Sequence, residues 1–546
     1  MSQPAFPPVD RSAWRQQVEL ELKGRDPDRV LLGRTEDGLT VRPLYLAEDA
    51  PPTPNEAAGA RPVGPLPWGV DATYAGPGAL DAAAADVAGG VTGLRIDPAA
   101  CGIGDAESLA ALLPRPGLHV EVVGAEYADW IGSLDADGWL LCAPGDLRIG
   151  RLLAGGHRIS LTSEDWASRG ATGLQEIGWL VAAALSGLRQ AVDAGADLAD
   201  CASRLQLTVT VGREVFPSIA RLRALRLLWA RTLGAWGIAP PPLRLRAVTH
   251  PGVITARDPW INLLRGSHGA FAAIAGGADR IEVLPLDAAL GQPDALARRM
   301  ARNTSQILGL ESHLGRVRDP AAGSWFLESL TAQSAQGAWA AFQRIGGDLG
   351  LAEALDSGRI DALCETSWEA RADALGDRRL AVTGVSEYPD AAELPHRDGP
   401  PRSTGHRDSE DWEALRERVS GAGARVLLAT WGPRAEWNAR AMWAENLLRA
   451  GGFDVAVRGP GEWQDLPAAW SGSRAHAVCL CAVDARYIDA SQAVHALREA
   501  GATVVLLAGK ASRDTEDADL DLILHAGAPV LERLTALAAT VLDPSS

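Results

Sequence analysis

Short β-like runs alternate with longer helix-like runs along most of this 546-residue chain, and that alternation limits the possible folds more than any single motif does. The strand candidates are VTGLRID (91–97), LHVEVVG (118–124), WLLCAP (139–144), HRISLTS (157–163), LQLTVTV (205–211), PLRLRAVT (242–249) and RIEVLP (280–285). Amphipathic stretches such as 174–192 and 216–236 lie between them. Parallel strands need such crossovers, so seven units with an eighth short strand expected near 315–318 suggest a closed (β/α) barrel. Periodicity alone still allows an open doubly wound sheet. A helical run over 325–377 closes the region, and a Pro/Asp/Arg/Ser-rich stretch from 386 reads as a mobile linker. RVLLATWG (425–432), FDVAVRG (453–459), AHAVCLCAV (475–483), TVVLLAG (503–509) and LDLILHAG (520–527) then alternate with helices, the signature of a flavodoxin-like doubly wound domain. The expected division is an N-terminal arm (1–60), an α/β barrel (61–385), a linker (386–423) and the second α/β domain (424–546).

Composition narrows the function classes. A formal net charge of −17 argues against a nucleic-acid surface, because a phosphate backbone needs clustered cations. No apolar run reaches about 18 residues, and the first residues lack the cationic start and apolar core of a signal peptide, so a cytoplasmic location is expected. Cys101, Cys142, Cys201, Cys364, Cys479 and Cys481 suit neither a disulfide framework nor a zinc site. Cys479 and Cys481 share one face of an apolar strand and should be buried. His268 and His313 sit near helix ends as structural residues, and Gly276-Gly277 reads as a helix C-cap. The 18 tryptophans point to large buried surfaces, an interface among them. Residues 14–22 form a short amphipathic helix that either wraps a partner subunit or caps its own domain.

The segment Ala297 to Thr331, ARRMARNTSQILGLESHLGRVRDPAAGSWFLESLT, has an ordered set of pieces: Arg-Asn-Thr, Glu-Ser, Arg-Val-x-Asp-Pro and Gly-Ser. Each piece alone is a cap or a turn; their joint order closely resembles the barrel domain of the methylmalonyl-CoA mutase family. The run Arg34 to Tyr45 (RTEDGLTVRPLY), Trp260 to Arg265, Gly276 to Asp279 and Leu286 to Leu290 are similar to the family as well. The resemblance implies a (β/α)8 TIM-type barrel followed by a degenerate cobalamin-binding-type domain. It also implies an enzyme that interconverts methylmalonyl-CoA and succinyl-CoA with adenosylcobalamin.

The positions that should carry this chemistry depart from the family pattern. Cobalt is held there by the histidine of Asp-x-His-x-x-Gly, and those positions fall on Ala435, Trp437 and Arg440. An indole nitrogen only donates and cannot ligate a metal. His476, His495 and His525 do not follow the domain's first strand. The family's Ser-x-Leu becomes Cys481-Ala482-Val483, and its Gly-Pro-Gly becomes His525-Ala526-Gly527. In the barrel, Gly170-Ala171-Thr172 is retained, but the preceding Tyr-His pair becomes Glu164 and Asp165. A Gln and a His are replaced by Asp279 and Glu282, carboxylates that would repel an anionic acyl-CoA. The Arg/Tyr-rich insert for the thioester shrinks, leaving Arg61 and Tyr74. The resemblance therefore implies a small, non-catalytic subunit beside a catalytic large subunit that binds adenosylcobalamin and the acyl-CoA. On that reading this chain carries no catalytic, cofactor or metal residue. The alternatives are an active acyl-CoA mutase with ligands elsewhere, or a stand-alone structural or binding protein derived from a mutase.

Overall fold

A computed structural model describes residues 10–49, 51, 62–390, 405–458 and 461–542. The N-terminal segment begins with a helix, Arg11–Glu21, capped by Asp10, that contributes no buried residue. A small antiparallel pair follows, β1 (Gly33–Arg34) with β2 (Thr40–Val41). Eight parallel strands then close into a barrel: β3 (Gly69–Tyr74), β4 (Gly93–Ile96), β5 (Leu118–Val123), β6 (Ala136–Cys142), β7 (Ile159–Thr162), β8 (Leu205–Val211), β9 (Arg244–Thr249) and β10 (Arg280–Glu282). Closure is made by β10 pairing with β3, Arg280 opposite Gly69 and Glu282 opposite Asp71.

The barrel stands, but its strand count is reached differently from the sequence expectation. The remaining strand is β3, inside the stretch read as a shortened insert, and not a strand at 315–318. Gly/Pro-rich flanks hide the short run GVDATY, and only its ladders to β4 and β10 make it a strand. Residues Leu314–Arg316 form a 3-10 turn, entered through His313 at φ 58, a left-handed conformation that breaks extended backbone.

Helices cover the barrel, the largest being Gly173–Asp193, Val215–Ala235 and Trp325–Arg344. Thr172 and Gln175 build a capping box at the first of these, so the retained Gly-Ala-Thr motif works here as a helix start, with Gly170 at φ +99. Close approach of the first and third helices depends on Gly178, where a Cβ would stand 2.3 Å from the Ala338 carbonyl oxygen.

The second unit is a five-stranded parallel sheet in the order β12 (Asp454–Arg458), β11 (Arg425–Thr430), β13 (Ala477–Cys481), β14 (Val505–Ala508), β15 (Leu522–Leu524). This order is that of a flavodoxin-like fold. Its two faces bury separate apolar clusters, and Cys479 and Cys481 lie in the same one. Residues Glu410–Ala422, read from sequence as linker, form a helix instead. Trp412, Leu415 and Val419 bury it against this sheet's core. The part of the linker at 391–404 lies outside the described residues.

Candidate functional site

Alternation along the barrel strands turns Asp71 of β3, Arg95 of β4, Glu121 of β5, Ser160 of β7, Gln206 of β8, Arg246 of β9 and Glu282 of β10 toward one another. Barrel interiors of this type are usually filled by layers of branched apolar side chains. Here a continuous ionic network occupies the axis. Arg246, fully buried, donates through Nε to Asp71 Oδ2 (2.8 Å), pairs with Glu282, and stands 3.9 Å from Glu121. Arg95 donates to Glu121 Oε2 (2.8 Å) and to Glu164. Ser160 Oγ donates to Glu121 Oε1 (3.0 Å), Gln206 also donates to Glu121, and Thr73 Oγ1 donates to Glu282 (2.9 Å). Arg280 closes the lower end on Asp71 (3.0 Å). Burial by itself would raise these carboxyls. The guanidiniums override it, holding Asp71 below and Glu121 well below the ordinary carboxylate range, and lowering Glu164 likewise.

The four carboxylates singled out in the sequence do not form one cluster. Glu164, with Thr162 Oγ1 donating to it at 2.8 Å, and Glu282 both join the network. Asp165 faces solvent and pairs with Arg169 (2.6 Å). Asp279 sits before the start of β10, where it accepts from Arg226 (2.9 Å) and from the Leu245 N–H (2.8 Å). The expected bare negative charge is therefore corrected. Asp71, Glu121, Glu164 and Glu282 are met by Arg95, Arg246 and Arg280, so the axis is occupied by paired groups. Local reading of the sequence missed Asp71, Arg95, Glu121 and Arg246; the available signal was a charge inside each apolar strand run, as in LRI, HVEVV and RLRAV.

Tyr74 is buried, and its hydroxyl donates to Asp86 Oδ2 (3.1 Å). Burial, with the neighbouring Asp86 charge, pushes the phenol up from its ordinary value. Arg61 lies outside the described residues. Tyr74 also lines a cavity of about 380 Å³ at the C-terminal end of β3, bounded by the loop after β10 and by the helix Ala295–Leu310.

In the second unit, ligands of this fold class bind at the carboxyl ends of β11 and β13, where strand order reverses. Here side chains fill that crevice. Trp431 is fully buried, and Trp437, 7% exposed, donates its indole N–H to the Gly432 carbonyl (3.1 Å). Arg440 reaches the Ala482 carbonyl and Asp484 (2.7 Å), lying 5.3 Å from the Tyr487 ring centre. The Tyr487 hydroxyl donates to the Ala508 carbonyl (2.6 Å). His476 sits at the other end of the sheet, its Nδ1 accepting the Arg425 N–H (3.1 Å). His495 is exposed on a helix beside Glu499. These residues do not fit a corrin held by a histidine, since the nitrogen at 437 has no lone pair to give and is already bonded.

The family model for methylmalonyl-CoA mutase matches residues 153–450. The methylmalonyl-CoA mutase small subunit of Streptomyces virginiae is 34% identical over 97% of this chain and 96% of that protein. The small subunit from Propionibacterium freudenreichii subsp. shermanii is 29% identical, covering 94% of this chain and 91% of its own length. The methylmalonyl-CoA mutase of Escherichia coli K12 is 33% identical over 44% of this chain and 34% of that protein.

Proposed function

The chain belongs to the methylmalonyl-CoA mutase family, and on that premise we propose that it acts as the non-catalytic small subunit of a heterodimeric, adenosylcobalamin-dependent mutase. A large-subunit partner binds the cofactor and the acyl-CoA and interconverts methylmalonyl-CoA and succinyl-CoA. The observation that carries this reading is the Arg246–Asp71–Glu282–Glu121–Arg95 network, which fills the axis where a barrel enzyme of this family would seat a substrate. Opening it would strand buried charges, at a cost of about 3–5 kcal/mol for one broken pair. Packing of Trp437 and Arg440 into the second unit's crevice supports the same reading. The scaffold role is thus to present a rigid surface to the partner.

Such a surface is available on two adjacent barrel helices. Trp260, Leu264 and Phe271 share one face of the helix Ile261–Ala275 and its lead-in, and all stay exposed. Leu296, Ile307 and Leu310 are exposed on the neighbouring helix Ala295–Leu310. Apolar side chains grouped this way mark an association surface. No helix among the described residues is long and apolar enough to cross a membrane, which accords with the cytoplasmic location we assign.

The test is turnover of methylmalonyl-CoA with added adenosylcobalamin, by the purified chain alone and after mixing with the large subunit from the same source. The chain alone should be inactive and should co-elute with the large subunit. Turnover by the chain alone would overturn the assignment. Leu264→Glu with Phe271→Glu should weaken co-elution without unfolding the chain.

A further inference from the structure

The cavity beside Tyr74 opens against one side of the ionic axis, with Asp71, Thr73 and Glu282 on its wall, and has a polarised lining. Ala72, Ala79, Ala82, Val91, Val283 and Ala301 supply a small-residue apolar wall, and Arg298 and Arg302 stand at one end. Its volume, about 380 Å³, falls in the range of small-molecule pockets, roughly 300–1,000 Å³. The two guanidiniums share one counter-charge. Asp86 accepts from Arg298 Nε (3.2 Å), Arg302 Nη1 (2.8 Å) and the Tyr74 hydroxyl (3.1 Å). Asp71 and Glu282 on the same wall are already paired with Arg246 and Arg280, so at the Tyr74 end two cations against one carboxylate leave a single positive charge in excess. Arg302 Nε is buried and has no hydrogen-bond acceptor among the described residues.

The backbone is shaped to hold these groups. A Cβ on Gly89 would stand 2.4 Å from Arg302 Nε, so the missing side chain is what lets the guanidinium lie there. Gly76, at φ +105, leaves room for Gln292, whose Nε2 would be 2.5 Å from a Cβ and which donates to the Ala75 carbonyl (3.1 Å). Arg298 is tied back by Nη1 to the Pro293 carbonyl (2.7 Å). Both arginines are therefore fixed before any ligand arrives, which lowers the ordering cost of binding.

We infer that this cavity binds a small amphipathic monocarboxylate, its carboxylate on the Arg298–Arg302 pair beside Asp86 and a short alkyl body against the apolar wall. A monoanion matches the single excess charge, whereas a dianionic phosphate would exceed it. The site needs no cofactor and no mutase turnover, so it stands or falls separately from the non-catalytic role.

The experiment is calorimetric titration of the full chain with three probes of equal chain length: hexanoate, hexan-1-ol and hexylamine. Hexanoate should bind, and the alcohol and the amine should each bind at least roughly tenfold more weakly. Arg302→Gln should weaken hexanoate at least tenfold. Ala100→Trp, a rim substitution on an exposed residue that leaves the arginines untouched, should block it while circular dichroism stays unchanged. Absence of hexanoate binding in the millimolar range, equal or better binding of the amine or alcohol, or undiminished binding in the Ala100→Trp chain would each overturn the proposal.

Discussion

Arg246 sits where water cannot reach it, and its charge is tolerated because Asp71, Glu282 and Glu121 surround it. Removing it leaves those carboxylates uncompensated, so Arg246→Ala should lower stability by about 3–5 kcal/mol, read as a fall in the urea midpoint. Glu176 presents the opposite case. Burial is the dominant influence and pushes its carboxyl up to about 7, despite Arg221 at 3.6 Å and hydrogen bonds from Ser163 (2.8 Å) and Thr210 (2.9 Å). A raised folded value means the folded state holds this proton more tightly. The associated stability is full below the ordinary value of 4.5 and is lost as pH rises through about 7. Glu176→Gln should therefore gain melting temperature relative to wild type at pH 8 but not at pH 4; a difference that does not change with pH would contradict this.

Among elements, the helices Gly173–Asp193 and Trp325–Arg344 pack so closely that Gly178 faces a backbone carbonyl across the joint. Backbone cannot yield as a flexible side-chain tip can. Gly178→Ala should cost about 1–3 kcal/mol by overpacking, despite alanine's better helix propensity, and chemical denaturation with unchanged far-ultraviolet dichroism would check it. The loop and helix from Trp431 to Arg440 set a second expectation. Trp437→His alone should not restore cobalamin binding, because Ala435 cannot orient the imidazole and Arg440 still reaches across to Ala482 and Asp484. Ultraviolet–visible titration of the full chain reads this directly, and a base-off spectrum with stoichiometric binding in the single variant would refute it.

At the scale of the whole molecule, Asp408 joins segments that are far apart in sequence. It accepts from Arg371 Nε (2.7 Å) and Nη2 (2.9 Å), lies 3.5 Å from Arg213, and its N–H donates to the Gly252 carbonyl (2.8 Å). Arg371 also grips Glu36 of the N-terminal segment. Barrel loops, the helix Arg359–Gly376 and the start of the second unit thus meet at one carboxylate. Burial would raise its pKa, but Arg371 and Arg213 outweigh that and hold it at about 2. A depressed value contributes stability above the ordinary 3.8 that is lost as pH falls through about 2. Asp408→Asn should split a single calorimetric transition at neutral pH into two, as the barrel and the sheet unit uncouple; an unsplit transition would show that the apolar packing alone joins them.

Local pattern in the sequence sufficed for the parallel α/β character of both units and the burial of Cys479 and Cys481. Both follow from side-chain periodicity along the strands. Tertiary structure alone decided that Gly69–Tyr74 completes the barrel, because that short strand is defined by its ladders to β4 and β10. It also decided that Glu164 and Glu282 are neutralised while Asp165 and Asp279 lie elsewhere. Arg246 meets Asp71 across 175 residues of chain, and no local pattern carries a partner at that distance. Whether a buried charge repels a ligand or is cancelled depends on which strand the closed barrel brings opposite it.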